Sequence, residues 1–238
     1  EESFYQRALS GDADALVAQA REHLREGGTL VGWHDEVALR GLALAEADWS
    51  REVLQPAQLD AIRAQVETLL DELSEVPPAE GEALPPASWR ENGAVLVIAG
   101  RGRLDDLAAA VAAQALRAAG FGALALPRGA LEGESDPRLD PARAQLCVLS
   151  ILEEGSSAAA ARYFLRRLRR QVPGAPVALG LWHAAADSAM LAELRREGGA
   201  DSIVTSVREA VALCQARAGR AAGAQAAANS DVAARGVA

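Results

Sequence analysis

Apolar positions recur every three or four residues from residue 3 to about residue 74, the signature of amphipathic helices. The stretch ADALVAQAREHLREGG carries Leu16, Ala20 and Leu24 on one stripe, with Ser10 and Asp12 as cap candidates before it and Gly27-Gly28 as its stop. TLVGWHDEVALRGLALAEADWSREVL follows as a longer helix through Val37, Leu42, Ala45 and Trp49. Pro56 suits the first turn of another, where a missing N–H costs nothing. That helix carries Leu59, Ile62, Val66, Leu69, Leu70 and Leu73. With the leading segment FYQRAL, the pattern predicts a four-helix bundle over residues 1–74.

Residues 75–90, EVPPAEGEALPPASWR, form a Pro-rich acidic break and read as a linker. Beyond it the period changes. AVLVIAG, FGALALP, AQLCVLSIL, PVALGLW and DSIVTS are short, near-continuous apolar runs, each followed by a helical or turn segment. Strands of that kind alternating with helices predict a parallel sheet covered on both faces. Five of them over residues 91–218 predict a doubly wound, flavodoxin-like domain with strand order 2-1-3-4-5. The last helix, from SVREAVALCQARAG, opens on the capping box Ser206 to Glu209. Residues 219–238 are low-complexity and read as a tail.

Composition narrows the chemistry. The formal charge is −9, which argues against a nucleic-acid partner, because phosphate contacts need a basic excess. Every basic side chain is Arg, so a P-loop lysine, a Schiff-base lysine and the lysine of phospho-acceptor receiver domains are all excluded. Only 4% of residues are aromatic, so the core is built from Ala, Leu and Val. Cys147 and Cys214 stand outside any C-x-x-C pattern and read as buried free thiols. No run approaches the length of a membrane span, and no signal peptide is visible.

Ligands in such sheets sit beyond the carboxyl ends of the strands, here AGRGRLDD, SILEEGSS and LWHAAAD. Gly100 and Gly102 permit a tight turn in front of a helix, but Asp105 and Asp106 stand where a dinucleotide fingerprint needs its third Gly. Those carboxylates repel a phosphate, while Arg101 and Arg103 attract one. His34 and Asp35 are adjacent on a helix and point to different faces. His183 has Asp187 one turn on, too few ligands for zinc. Ser150 lacks the G-x-S-x-G elbow of a nucleophile. Glu153 and Glu154 read as solvated charges, and Arg166, Arg167, Arg169 and Arg170 as an exposed face or a contact for acidic neighbours.

A helical cap, a linker and a five-stranded domain in this order resemble the cobalamin-binding module of corrinoid proteins. That family's first loop carries Asp-x-His-x-x-Gly, whose His ligates cobalt and whose Gly leaves room for the nucleotide tail. Arg103, Asp105 and Ala108 stand at those three positions. The family's Ser-x-Leu is matched by Ser150 and Leu152, and its Gly-Gly is reduced to Gly180-Leu181. Further, FYQRALSGD, LALAEADWSREVL, VLVIAGRGRLDDLAA, RYFLRRLRR and VALGLW resemble the soluble C-terminal extension of bacterial autoinducer-2 exporter family permeases, which looks like a cobalamin module without its histidine.

The resemblance implies a non-catalytic sensory or regulatory domain, cytoplasmic and tethered to the inner membrane through an upstream segment. The start at Glu1 without Met agrees with such a fragment. The expected pocket is vestigial, formed by Arg101, Arg103, Asp105, Ala108, Ser150, Leu152, Gly180 and His183. It is either empty and apolar or takes a small molecule other than cobalamin, so no cofactor and no metal are expected. Partners are the upstream membrane region, a small-molecule ligand and a second copy packed through the Ala-rich helices. The alternatives are a corrinoid-binding protein without a histidine ligand, an enzyme using Glu153, Glu154 or His183, and plain assembly.

Overall fold

The structure is a computed structural model that describes residues 2–77, 84–132 and 136–235. Helices α1 (Glu2–Ser10), α2 (Ala13–Arg25), α3 (Leu30–Trp33), α4 (Leu39–Ser50) and α5 (Pro56–Glu72) form the cap. Asp12 caps α2 by accepting from the Ala15 N–H at 2.9 Å. Between α3 and α4 one turn, His34–Ala38, is π-helical, so the long helix of the sequence pattern is continuous but carries a local widening. Part of the 75–90 linker lies outside the described residues; the rest contains the short helix α6 (Ala87–Arg90).

The second part contains β1 (Val95–Ala99), α7 (Asp105–Ala118), β2 (Ala123–Leu126), β3 (Leu146–Leu152), α8 (Ala158–Gln171), β4 (Val177–Trp182), α9 (Ala189–Glu197), β5 (Ser202–Val204) and α10 (Val207–Arg235). All strand pairs are parallel, and their order is β2-β1-β3-β4-β5, as the sequence pattern predicts. The helix that opens at residue 207 continues to Arg235, through most of the stretch read as a tail. No helix among the described residues is long and apolar enough to cross a membrane.

Alternation along the strands divides the core. Val95, Val97, Val148 and Trp182 join α7, α10 and the cap in one cluster. Leu96, Ile98, Leu149 and Leu181 join α8 and α9 in the other. The cap therefore lies on the α7 side of the sheet, with α4 reaching the ends of β3 and β4. His34, fully buried, ties the layers together. Gln114 on α7 donates to the Leu70 carbonyl, so its Oε1 faces the imidazole and accepts from Nε2–H at 2.8 Å. Burial pushes the His34 pKa down to about 4, so the ring is neutral at ordinary pH.

One glycine is fixed by close approach. Gly122 donates to the Trp89 carbonyl at 2.8 Å and accepts from the N–H of Gly93 and Val95, and a Cβ there would run into the backbone of Glu91. Backbone cannot yield as a side-chain end can. Gly122→Ala is therefore expected to cost on the order of 3 kcal/mol in urea unfolding; a loss under about 1 kcal/mol would mean the turn relaxes freely.

Candidate functional site

The glycine turn after β1 holds a carboxyl group, and that group is the chain's own. Asp105 opens α7 with its side chain folded back into the loop, where Oδ2 accepts from the Gly102 N–H at 2.7 Å. Oδ1 accepts from the Leu152 N–H at the end of β3, also at 2.7 Å. A Cβ on Gly100 or Gly102 would collide with this carboxylate, which explains the glycines. The helix dipole and free amides that elsewhere attract a phosphate are thus satisfied internally.

A second carboxylate comes from the cap. Glu46 on α4 accepts from the Arg103 N–H at 3.1 Å and from the Leu104 N–H at 2.8 Å, and is 1% exposed. Gly155 gives it room, since a Cβ there would strike the Glu46 carboxylate. Arg63 on α5 adds an outer clasp, with its guanidinium on both oxygens of Asp106 and on the Arg103 carbonyl. Burial raises the Asp105 pKa to about 7, above what its two amide bonds hold down, and the nearby Glu46 and Asp106 charges add to the rise. Burial likewise raises the Glu46 pKa, against the pull of the Arg103 and Leu104 amides.

Beside this loop a cleft of about 420 Å³ opens between α4 and the ends of β3 and β4. Leu44, Ala43 and Ala47 of α4 form one wall, with Leu152 and Trp182 opposite. Arg40, Arg51, Asp48, Glu153, Glu154 and His183 supply the charged and polar positions. Two of the acids are anchored: Asp48 accepts from the Tyr5 hydroxyl at 2.7 Å, and Glu153 from Ser188. Trp182 folds its indole back over Gly180 and donates from Nε1 to Ser150 Oγ at 2.7 Å. His183 adopts φ 55°, a strained conformation for a side-chain-bearing residue. Its Nε2–H donates to the Asp35 carbonyl at 2.6 Å, while the Asp35 carboxylate accepts from the Val207 N–H and caps α10.

Of the residues the sequence singled out, Leu152, Glu153, Glu154 and His183 line the cleft. Asp105, Ala108, Ser150 and Gly180 are buried beside or beneath it. Arg101 is exposed, and Arg103 lies 5.7 Å over the Trp49 ring. His183 turns to Asp35 rather than Asp187, which is exposed. The cleft carries both charge and apolar surface, where an apolar space was one expectation. Sequence reasoning missed Glu46, Asp48, Arg40 and Arg51. Glu46 had a signal, an acid inside the apolar run LALAEA; the others sit on an ordinary-looking polar face.

No protein-family model and no curated protein matches the chain. Among solved structures it is similar to the monomethylamine corrinoid protein of Methanosarcina barkeri, at 16% identity over 89% of this chain and 94% of that one, with a TM-score of 0.53. A cobalamin-binding protein from Desulfitobacterium hafniense aligns at 14% identity over 90% and 97%, with a TM-score of 0.37. The first likeness establishes a cobalamin-binding-like fold. It also corrects the expectation that no cofactor belongs here: the fold is one a corrinoid protein uses, and a corrinoid becomes the first ligand to test. The residues do not fit a histidine-ligated, tail-inserted corrinoid. Asp105, to which the resemblance assigns the ligand position, has both oxygens engaged, and the Trp182 indole covers Gly180.

Asp105 also sets a pH dependence. Its folded pKa lies above the ordinary carboxylate value, so its favourable contribution is complete below about pH 4 and is lost as pH rises through about 7. Asp105→Asn lacks this loss. Its stability deficit against the wild type is expected to narrow by roughly 4 kcal/mol between about pH 4 and pH 8, measured by denaturant unfolding. A constant deficit would show that Asp105 keeps one charge state throughout.

Proposed function

We propose that the chain is a non-catalytic, ligand-responsive module of corrinoid-protein fold, whose ligand lies in the cleft between α4 and the ends of β3 and β4. One observation carries this reading. Helix α4 presents Leu44 and Ala47 to the cleft and Glu46 to the loop after β1. A ligand that displaces α4 therefore pulls directly on the amides of Arg103 and Leu104, which gives binding a route into the α/β domain. The strained His183 at the same rim supplies a second movable element.

A corrinoid held by its periphery, with no cobalt ligand from the protein, is the candidate that the likeness in fold supports. Arg40, Arg51 and the acids around them offer polar contacts to amide side groups, and Trp182 with Leu152 offers apolar surface. As the setting, we take the cytosolic part of a permease-like membrane protein, on the strength of the segments that resemble permease extensions; the coding sequence upstream of Glu1 tests that point by its hydrophobic spans.

Equilibrium dialysis against hydroxocobalamin and against cobinamide tests the ligand. Retention is expected with no spectral sign of a protein nitrogen on cobalt. Leu44→Trp, which fills the cleft from an exposed position, is expected to lower affinity at least about tenfold. Failure of the wild-type protein to retain either compound would overturn the corrinoid assignment.

A further inference from the structure

Helices α8 and α9 cover the sheet face away from the cap and the cleft. Helix α8 turns Ala161, Phe164, Leu165 and Leu168 inward. Its outer side carries Tyr163, Arg166, Arg167 and Arg170 at spacings of three and four, one continuous stripe. The flanking arginines are engaged within the fold: Arg162 meets Glu193 and Glu197 at 2.6 Å each, and Arg169 meets Asp201 at 2.8 Å. Arg167 is steadied by the Leu131 carbonyl and lies 3.2 Å from the Tyr163 hydroxyl. Among the described residues no hydrogen bond or ion pair holds Arg166, Arg170 or Arg195 of α9, and all three are exposed. Together the two helices carry seven arginines against two glutamates, in a chain of net charge −9.

We propose that this face docks on an anionic phospholipid surface. The charges already engaged show which arginines serve the fold; Arg166 and Arg170 of the stripe, with Arg195, are what remains. An arginine on each turn along one line matches a continuous layer of phosphates, which guanidinium groups bind through paired N–H donors. Tyr163, half exposed, has the apolar ring and polar tip suited to headgroup depth. The overall negative charge does not forbid this, because screening beyond about 8 Å leaves the local charge to decide. Docking here keeps the cleft, on the other side of the sheet, turned away from the lipid. The proposal stands on the charges of this face and is independent of the cleft's ligand.

The test is co-sedimentation with vesicles of phosphatidylcholine alone and of phosphatidylcholine with phosphatidylglycerol, at low and high salt. The wild-type protein is expected to pellet with the anionic vesicles only, and to be released by salt. Arg166→Gln and Arg170→Gln should each weaken binding about fivefold. The double variant Arg166→Glu with Arg170→Glu should abolish it, while circular dichroism and the urea unfolding midpoint stay unchanged. Absence of binding to anionic vesicles, equal pelleting with neutral ones, or an undiminished double variant would overturn the proposal. So would retention on immobilised polyglutamate without vesicle binding, which would assign the face to an acidic protein.

Discussion

Everything at the strand ends depends on four backbone N–H groups, those of Gly102, Arg103, Leu104 and Leu152, and on the two carboxylates that satisfy them. A buried amide left without an acceptor costs about as much as a lost hydrogen bond or more. An α/β sheet creates such amides wherever a strand turns into a helix, and a ligand phosphate often meets the need. Here Asp105 meets it from within the loop and Glu46 from another layer. The cap is thus joined to the sheet by a polar contact as well as by packing. Its placement also fixes the wall of the cleft, since the helix that grips the loop is the helix that lines the space.

The same arrangement sets a tension. Two carboxylates lie close together out of water, and burial pushes both pKa values up. Burial at His34 acts in the opposite sense and keeps the imidazole neutral. Acidification therefore relieves the loop while it penalises the cap–α7 contact. The two halves of the molecule respond to pH with opposite sign over the same window, about pH 4 to 6.5, so the two dependences oppose each other there.

The fold was legible because its signals are periodic. Leu59 to Leu73 repeats as a helix must, and AVLVIAG and AQLCVLSIL are too short and too uniformly apolar for anything but buried strands. The strand order followed from the alternation with helices. The site was less legible, because it depends on residues distant in sequence. Glu46 and Leu104 are 58 positions apart, and Asp35 and Val207 are 172 apart. No local pattern links them. Gly100 and Gly102 were read as permitting a tight turn; what the sequence did not show is that the space beside them belongs to Asp105. The likeness to a corrinoid protein, visible in the sequence as segment order, holds for the fold.

The π-helical turn at His34–Ala38 puts these contacts in phase. Each residue of an α-helix advances the azimuth by about 100°. Removing the extra residue of that turn would rotate α4 by that angle against everything before it. Asp35 could then keep its hold on α10, or Glu46 its hold on the loop after β1, but one rigid helix could not aim both. The widened turn acts as a phase shifter, setting the angular offset between two anchors on one axis.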